Sequence, residues 1–512
     1  MRGAFIFGFR LPSLMSLNNQ PMVLPPDASE RERQPPGLFL LFFVEMWERF
    51  SFYGMRALLT FYLIKGFLQA RDDDAYAIYG AYGALVYATP YLGGIFADRF
   101  IGARLAVIWG GLLMAAGHLL MSIEAEWALF GALALLICGN VFFKPNISTM
   151  VGQLYHENDS RRDAGFSLFY AGINIGAFLG GSIMILVARN YGWSQAFYLV
   201  AVSMLISLII FLLTRTSFGP IGLSPLRGLK QSRRLGSEIL IYTVSLLAIV
   251  PLWSMIAEPR YNDRFMAVIG PLTLLYLAWE MRTLTRQENL KLGAALIFIL
   301  FSVFFWAFFE QSGGSLSQFA LYHLQGQTLW GIPMDANAVN NSANAFFVIA
   351  LAPLLGMFWV WTSKRQLEPH SMLKFALAFL LLGLAFVVFY LNRFVANSEG
   401  LASLEIFVLA YLIISLGELC LSPIGLSLMT KLSPLRMQGL VMGLWFLASA
   451  YGQYAAGLLG AGMSLSQEGS SVHDKLMAYT QGYLELGIYA FVAGVLLWLL
   501  HQPVRRMMQG VH

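Results

Sequence analysis

Residues Leu38–Ile64 read LFLLFFVEMWERFSFYGMRALLTFYLI. As a helix this stretch is long enough to cross a ~30 Å hydrocarbon core, which takes ~20 apolar residues. Yet it carries Glu45, Glu48, Arg49 and Arg56. Together with Phe52 these residues are spaced i, i+3, i+4, i+7 and i+11, which places them on one helical face. A charge near the centre of a membrane helix costs at least a few kcal/mol, so that face cannot meet lipid. A polar stripe down a membrane-length helix marks the wall of a central cavity.

The rest of the chain repeats the apolar length without the stripe. Further spans are read at 75–97, 104–123, 127–145, 165–188, 193–213, 236–257, 265–284, 292–313, 341–362, 371–391, 402–423, 437–463 and 479–501, about 14 in all by hydropathy. The 512 residues are 58% hydrophobic and 12% charged, whereas a soluble chain carries about 25% charge. Barrel strands are excluded as an alternative, because they alternate over ~10 residues, and Leu105–Leu120 and Phe375–Tyr390 do not alternate. Cys138 and Cys420 lie inside apolar runs and read as neither a disulfide nor a metal site. Met1–Leu17 is mildly apolar, but a Pro-rich polar stretch follows without a clear cleavage site, so it is no clean signal peptide. Met22 offers an alternative start.

An even number of spans puts both termini on one side. Of the 33 Lys and Arg, about 23 fall on that side and about 7 on the other, which makes the termini cytoplasmic by the positive-inside rule. The net charge of +5 thus sorts by membrane side and does not indicate nucleic acid. The longest linker, 214–235, divides six helices from eight. The resulting organisation is a cytoplasmic tail (1–36), a six-helix bundle (37–213), a cytoplasmic linker (214–235), an inserted pair (236–284), a second six-helix bundle (285–503) and a tail (504–512). The fold class expected is all-α polytopic membrane protein. Two six-helix bundles around a midplane site match the major facilitator architecture. Gly94–Arg104 resembles that superfamily's cytoplasmic loop motif, and no internal repeat is visible to support the two-bundle reading independently.

Three bases remain inside the membrane, Arg49, Arg56 and Lys144, with four acids, Glu45, Glu48, Glu310 and Glu418. Structural ion pairing between helices could account for any one of them. All seven together read as an ion or substrate pathway. Arginine stays charged in any protein environment, so four acids against three bases leave one carboxyl spare, and burial disfavours its charged form. Such a set can hold a proton. It can also trade partners with a zwitterion, carboxylate to an arginine and ammonium to the spare acid.

At these residues the chain resembles the proton-coupled oligopeptide transporter family, in both halves. The segments that carry the likeness are Glu45-Met-Trp-Glu48-Arg49-Phe50, Leu85–Pro90 with Gly93-Gly94, and Phe143-Lys144-Pro145-Asn146. Further along they are Phe169–Gly176, Phe305–Gln311, Asn341–Asn344, Gly417–Ser427 and Met442–Leu447. The resemblance implies an importer of di- and tripeptides driven by protons, working by alternating access in the cell (inner) membrane as a multi-pass protein. It implies no enzyme activity, cofactor or metal, with the proton as coupling ion; the residues do not reveal the oligomeric state, and function as a monomer is the expectation. By position, it implies that Glu45, Glu48, Arg49 and Glu310 couple proton movement, with Lys144 as charge partner and cavity residue. Arg56 would bind the peptide carboxylate and Glu418 its ammonium, while Glu310 alternates between a proton and Arg56. Tyr53, Tyr87, Asn174 and Asn344 would hydrogen-bond the peptide backbone, and Trp306, Trp445 and Ser449 would line side-chain pockets.

Four positions depart from the family pattern. Phe52 stands where many members have tyrosine, Phe309 where some have a second acid, Ala345 where proline is common, and Gly80 where some carry a histidine tied to proton coupling. Coupling here must then rest on carboxylates. Among the histidines only His118 lies mid-helix, and it reads as a packed or cavity-edge residue. Transport of nitrate or another small anion is the nearest alternative, and Glu418 argues against it. A membrane transferase would need a nucleophile or metal-ligand constellation, and none is visible.

Overall fold

A computed structural model describes residues 34–66, 68–155, 162–228, 231–434, 437–465 and 471–510. It is built of helices: α1 Pro36–Lys65, α2 Asp72–Ala88, α3 Pro90–Phe96, α4 Ala103–Met121, α5 Glu126–Gln153, α6 Arg162–Tyr191 and α7 Trp193–Thr214. There follow α8 Gln231–Leu247, α9 Ile249–Ala257 and α10 Pro259–Met281. The second half holds α11 Arg286–Phe309, α12 Ser315–His323, α13 Ala336–Lys364, α14 Ser371–Val395, α15 Leu404–Leu432, α16 Gln438–Leu465 and α17 Val472–Met507. Among the described residues ten helices are long and apolar enough to cross a membrane. Four rods fall outside that count: α1 because of its charges, α2–α3 because of its break, and α10 and α16. The fold is that of two six-helix bundles with an inserted helix pair.

Local chemistry explains where the rods depart from the expected spans. Span 75–97 is two helices because Pro90 cannot donate to the preceding turn; Thr89 ends α2 and its hydroxyl donates to the Leu85 carbonyl at 2.7 Å. The inserted span 236–257 breaks at Ala248, where Pro251 conflicts with the carbonyl four residues back. Thr285 and Glu288 form a capping box that starts α11 earlier than expected. At its far end α11 gives way to a 3-10 turn over Glu310–Gly313 before α12 begins. Glu310 therefore sits at a helix break, where backbone groups are free to meet ions or ligand. The expected tail 504–512 is helical as far as Met507. Most of the expected tail 1–36 lies outside the described residues.

Small residues let α1 and α6 lie against each other. Gly172, Gly176 and Gly180 recur every fourth position on α6. A Cβ on Gly176 would meet the Arg49 Cβ at 2.9 Å, and one on Gly180 would meet the Gly54 nitrogen at 2.9 Å. This close approach is the usual mode of helix packing in membranes, and it orients the charged stripe of α1. Gly180→Leu should overpack the contact at a cost of about 1–3 kcal/mol. A purified mutant with unchanged melting in detergent would show that the contact is dispensable.

The bundles meet on the membrane face opposite the termini. There the Thr60 hydroxyl donates to the Gly313 carbonyl at 2.9 Å, and Arg189 pairs with Asp335 at 2.9 Å. Gly80 lies against Gly457, so that a Cβ would meet the Gly457 Cα at 3.0 Å. A histidine at position 80 would have to push α16 away, which gives a packing reason for the glycine.

The inserted pair straddles the two bundles. On the first leg, Ser245 accepts from the Trp109 indole at 2.9 Å, and Tyr242 lies 4.5 Å from the Trp109 ring. On the second leg, Asp263 accepts from the Tyr454 hydroxyl at 2.6 Å, and the Tyr451 hydroxyl donates to the Met266 carbonyl. Met266 packs with Ala84 and Ala450, at the seam between bundles. Lipid-facing packing describes only the outer faces of the pair, where residues such as Leu247, Val250 and Leu275 are exposed.

Candidate functional site

Between the bundles lies a cavity of about 300 Å³. Its wall draws on α1 (Glu45, Arg49, Tyr53, Arg56), α2 (Tyr87), α5 (Lys144) and α6 (Asn174). From the second half come Trp306 on α11, Glu310 at the helix break, Asn344 on α13, Glu418 on α15, and Trp445 and Ser449 on α16. Of the residues expected to couple protons or bind peptide, only Glu48 does not line it. Glu48 is fully buried behind Arg49.

Apart from Lys144, the charges form three groups. Arg49 holds two acids: its Nη2 donates to Glu48 at 2.7 Å, its Nε lies 3.1 Å from Glu45, and Nε also contacts Glu48. The Phe52 ring lies 5.0 Å from the guanidinium, so the missing hydroxyl at position 52 is replaced by an aromatic face for a cation. Arg56 donates through Nε to the Tyr79 hydroxyl at 2.6 Å and through Nη2 to Glu310. That ion pair joins the first bundle to the second. The third group is a single acid. Glu418 accepts from the Asn344 amide at 2.9 Å and has no cationic partner among the described residues.

Lys144 takes a place that charge counting did not suggest. Its ammonium lies over the Tyr87 ring, 4.5 Å from the centroid. No carboxylate is within salt-bridge distance of it among the described residues, although Glu45 and Glu48 are near enough to act on it through space. His118 is fully buried on α4 and has no place on the cavity wall.

Several wall atoms are unmatched. Glu45 Oε2, Trp306 Nε1 and Ser422 Oγ are buried with no hydrogen-bond partner among the described residues. They are the atoms a polar ligand would meet. The wall also includes Tyr170, Tyr411 and Asn340, which sequence reasoning passed over. Tyr411 donates to the Asn340 side chain at 2.7 Å. Tyr79 was missed as well. Tyrosines in an aromatic-rich chain carry no signal of their own; only adjacency to Arg56 marks Tyr79.

A charged cavity at the contact of two helical bundles defines a membrane transporter of the major facilitator type. The chain belongs to the POT family, whose model matches residues 104–474. It is 33% identical over 486 residues to the uncharacterized transporter YclF of Bacillus subtilis (strain 168), covering 93% of this chain and 96% of the relative. It is 33% identical over 493 residues to the peptide transporter YePEPT of Yersinia enterocolitica, covering 92% and 94%. A solved peptide transporter POT in complex with sulfate has a TM-score of 0.79 at 35% identity, covering 93% of this chain and 96% of that one. A POT family transporter in complex with 5-aminolevulinic acid has a TM-score of 0.79 at 30% identity, covering 92% and 97%.

Proposed function

We propose that the chain imports di- and tripeptides together with protons, by alternating access, with its termini in the cytoplasm of the cell that carries it in its inner membrane. The observation that carries this reading is the division of the cavity charges. Arg56 stands on the first bundle, and Glu418, an acid without a cation, stands on the second. A zwitterion has one group for each. Holding both ends ties the bundles together, so binding energy is realised where closure happens.

The proton enters through the Arg56–Glu310 pair. A peptide carboxylate that takes Arg56 displaces Glu310. A displaced carboxylate in a buried site is costly unless it takes up a proton. Proton and peptide then travel together, and loss of the proton on the cytoplasmic side restores the pair. The Glu45–Arg49–Glu48 group, with Lys144 beside it, serves as a second proton store in the same wall. Tyr53, Tyr87, Asn174 and Asn344 offer hydrogen bonds to the peptide backbone, and Trp306, Trp445 and Ser449 form walls for its side chains. No cofactor or metal is required by this scheme, and one chain contains the whole site.

The test is uptake of labelled dialanine into proteoliposomes with and without an acid-outside gradient. Accumulation above equilibrium only with the gradient is expected; a nitrate carrier or an enzyme would not accumulate the dipeptide. Glu310→Gln should abolish accumulation but keep peptide exchange, since glutamine mimics the protonated acid and the loaded carrier can still reorient. A Glu310→Gln protein that still concentrates dialanine would place the coupling proton elsewhere.

A further inference from the structure

A second cleft lies between the bundles on the face opposite the termini, beyond the closed contact of Thr60 with Gly313. Its volume is about 250 Å³, and a neighbouring hollow of about 350 Å³ shares Arg189 and Asp335 with it. Phe61, Trp193 and Leu321 supply apolar walls, and Lys65, Arg189 and Asp335 supply charge. α1 runs from this cleft through Arg56 to the central cavity, so the cleft lies at the outer end of the same pathway.

We infer that this cleft is an outer docking site for short peptides, in which Arg189 exchanges Asp335 for the peptide's terminal carboxylate. The inference rests on the peptide-import reading and adds a second site for the same substrate. The two partners of the Arg189–Asp335 pair are unequal. Arg189 is a solvated side chain, 71% exposed, while Asp335 is 11% exposed. Asp335 is also held without Arg189, because its Oδ1 accepts from the backbone nitrogens of Asn337 at 2.9 Å and Ala338 at 3.0 Å. That is the cap of α13, and the positive end of the helix favours the carboxylate there. Arg189 can therefore leave without stranding a buried charge.

The local charge favours such an exchange. Lys65 has no carboxylate partner among the described residues, and its ammonium lies 5.6 Å from the Tyr322 ring centroid. Two cations against one acid attract a carboxylate, and Asp335, once released by Arg189, faces the peptide ammonium. A guanidinium suits this work because it recognises a carboxylate through two parallel donors. Because Arg189–Asp335 also ties the bundles, exchange at Arg189 loosens the outer contact as substrate arrives.

The test measures the influx KM for dialanine, and the inhibition constant of its C-terminal amide against dialanine influx, in proteoliposomes, using Arg189→Gln and Lys65→Gln. Neither residue lines the central cavity. Arg189→Gln is expected to raise the dialanine KM roughly three- to fivefold, the range of an exposed ion pair, and to shift the inhibition constant of the amide much less. Lys65→Gln leaves the Arg189–Asp335 pair intact, losing only the cation–ring contact with Tyr322, and should show the same dependence on the carboxylate, with a smaller rise. Equal changes for dialanine and its amide would make Arg189 a latch only and overturn the docking site, as would no change in either variant. Asp335→Asn keeps the cap but breaks the ion pair; if it reproduced the Arg189→Gln pattern for both ligands, the latch reading would again prevail. Failure of the unmodified protein to accumulate dialanine at all would instead count against peptide import itself.

Discussion

Glu418→Gln should weaken an unmodified dipeptide by about 30-fold or more, the effect of truncating one member of a desolvated charge pair. An N-acetylated dipeptide should be affected much less, because it has no ammonium to lose. Glutamine preserves the volume and can still accept from Asn344, so the cavity wall keeps its shape. Only the charge disappears, and Glu418 has no cation of its own to be stranded by the change. Arg56→Lys should weaken both ligands. Arg56 uses separate nitrogens to reach Tyr79 and Glu310, and a lysine ammonium is a point charge without that fork. Competition against a labelled reporter, with free and acetylated dipeptides on each mutant, measures both effects. Equal weakening of free and acetylated peptides by Glu418→Gln would remove Glu418 from the ammonium site.

Lys144→Ala should abolish gradient-driven uptake. Arg49 serves two buried carboxylates, so the group Glu45–Arg49–Glu48 carries a net negative charge when both acids are ionised. Lys144 is the nearby cation that offsets it. Without Lys144 an uncompensated buried charge costs roughly 3–5 kcal/mol. The group would escape that cost by keeping a proton, and a carrier that cannot release its proton cannot return empty. Peptide exchange, which needs no return of the empty carrier, should survive. Gradient-driven accumulation at the wild-type rate in Lys144→Ala would show that this cation plays no part in the cycle.

Much of this protein was legible in the sequence because a membrane is an unforgiving solvent. Apolar length reports each crossing. The stripe on α1 stood out for the same reason, since charges at that depth need a cavity. Less legible were breaks that hinge on single residues. The interruption at Thr89 and the early start of α11 at its capping box come from local hydrogen bonds that hydropathy does not see. Tyr79, Tyr170 and Tyr411 were not legible either, because their types are common in this chain and only their placement is informative.

By itself the sequence determined the class of fold and the set of seven ionisable residues inside the membrane. It also determined that one acid must be left over, since that is a sum over residue types. Only the tertiary structure decided which acid it is. Arg49 takes both Glu45 and Glu48, Arg56 takes Glu310, Lys144 rests on Tyr87, and Glu418 remains. The same holds for Gly80, whose reason is the backbone of Gly457, and for the inserted pair, whose second leg sits at the seam and touches both bundles. The physical cause is common to all three. Burial cost depends on what a residue is, so it can be read along the chain. Pairing depends on angstrom distances between residues hundreds of positions apart, as with Arg56 and Glu310, and packing of the bundles alone sets those distances.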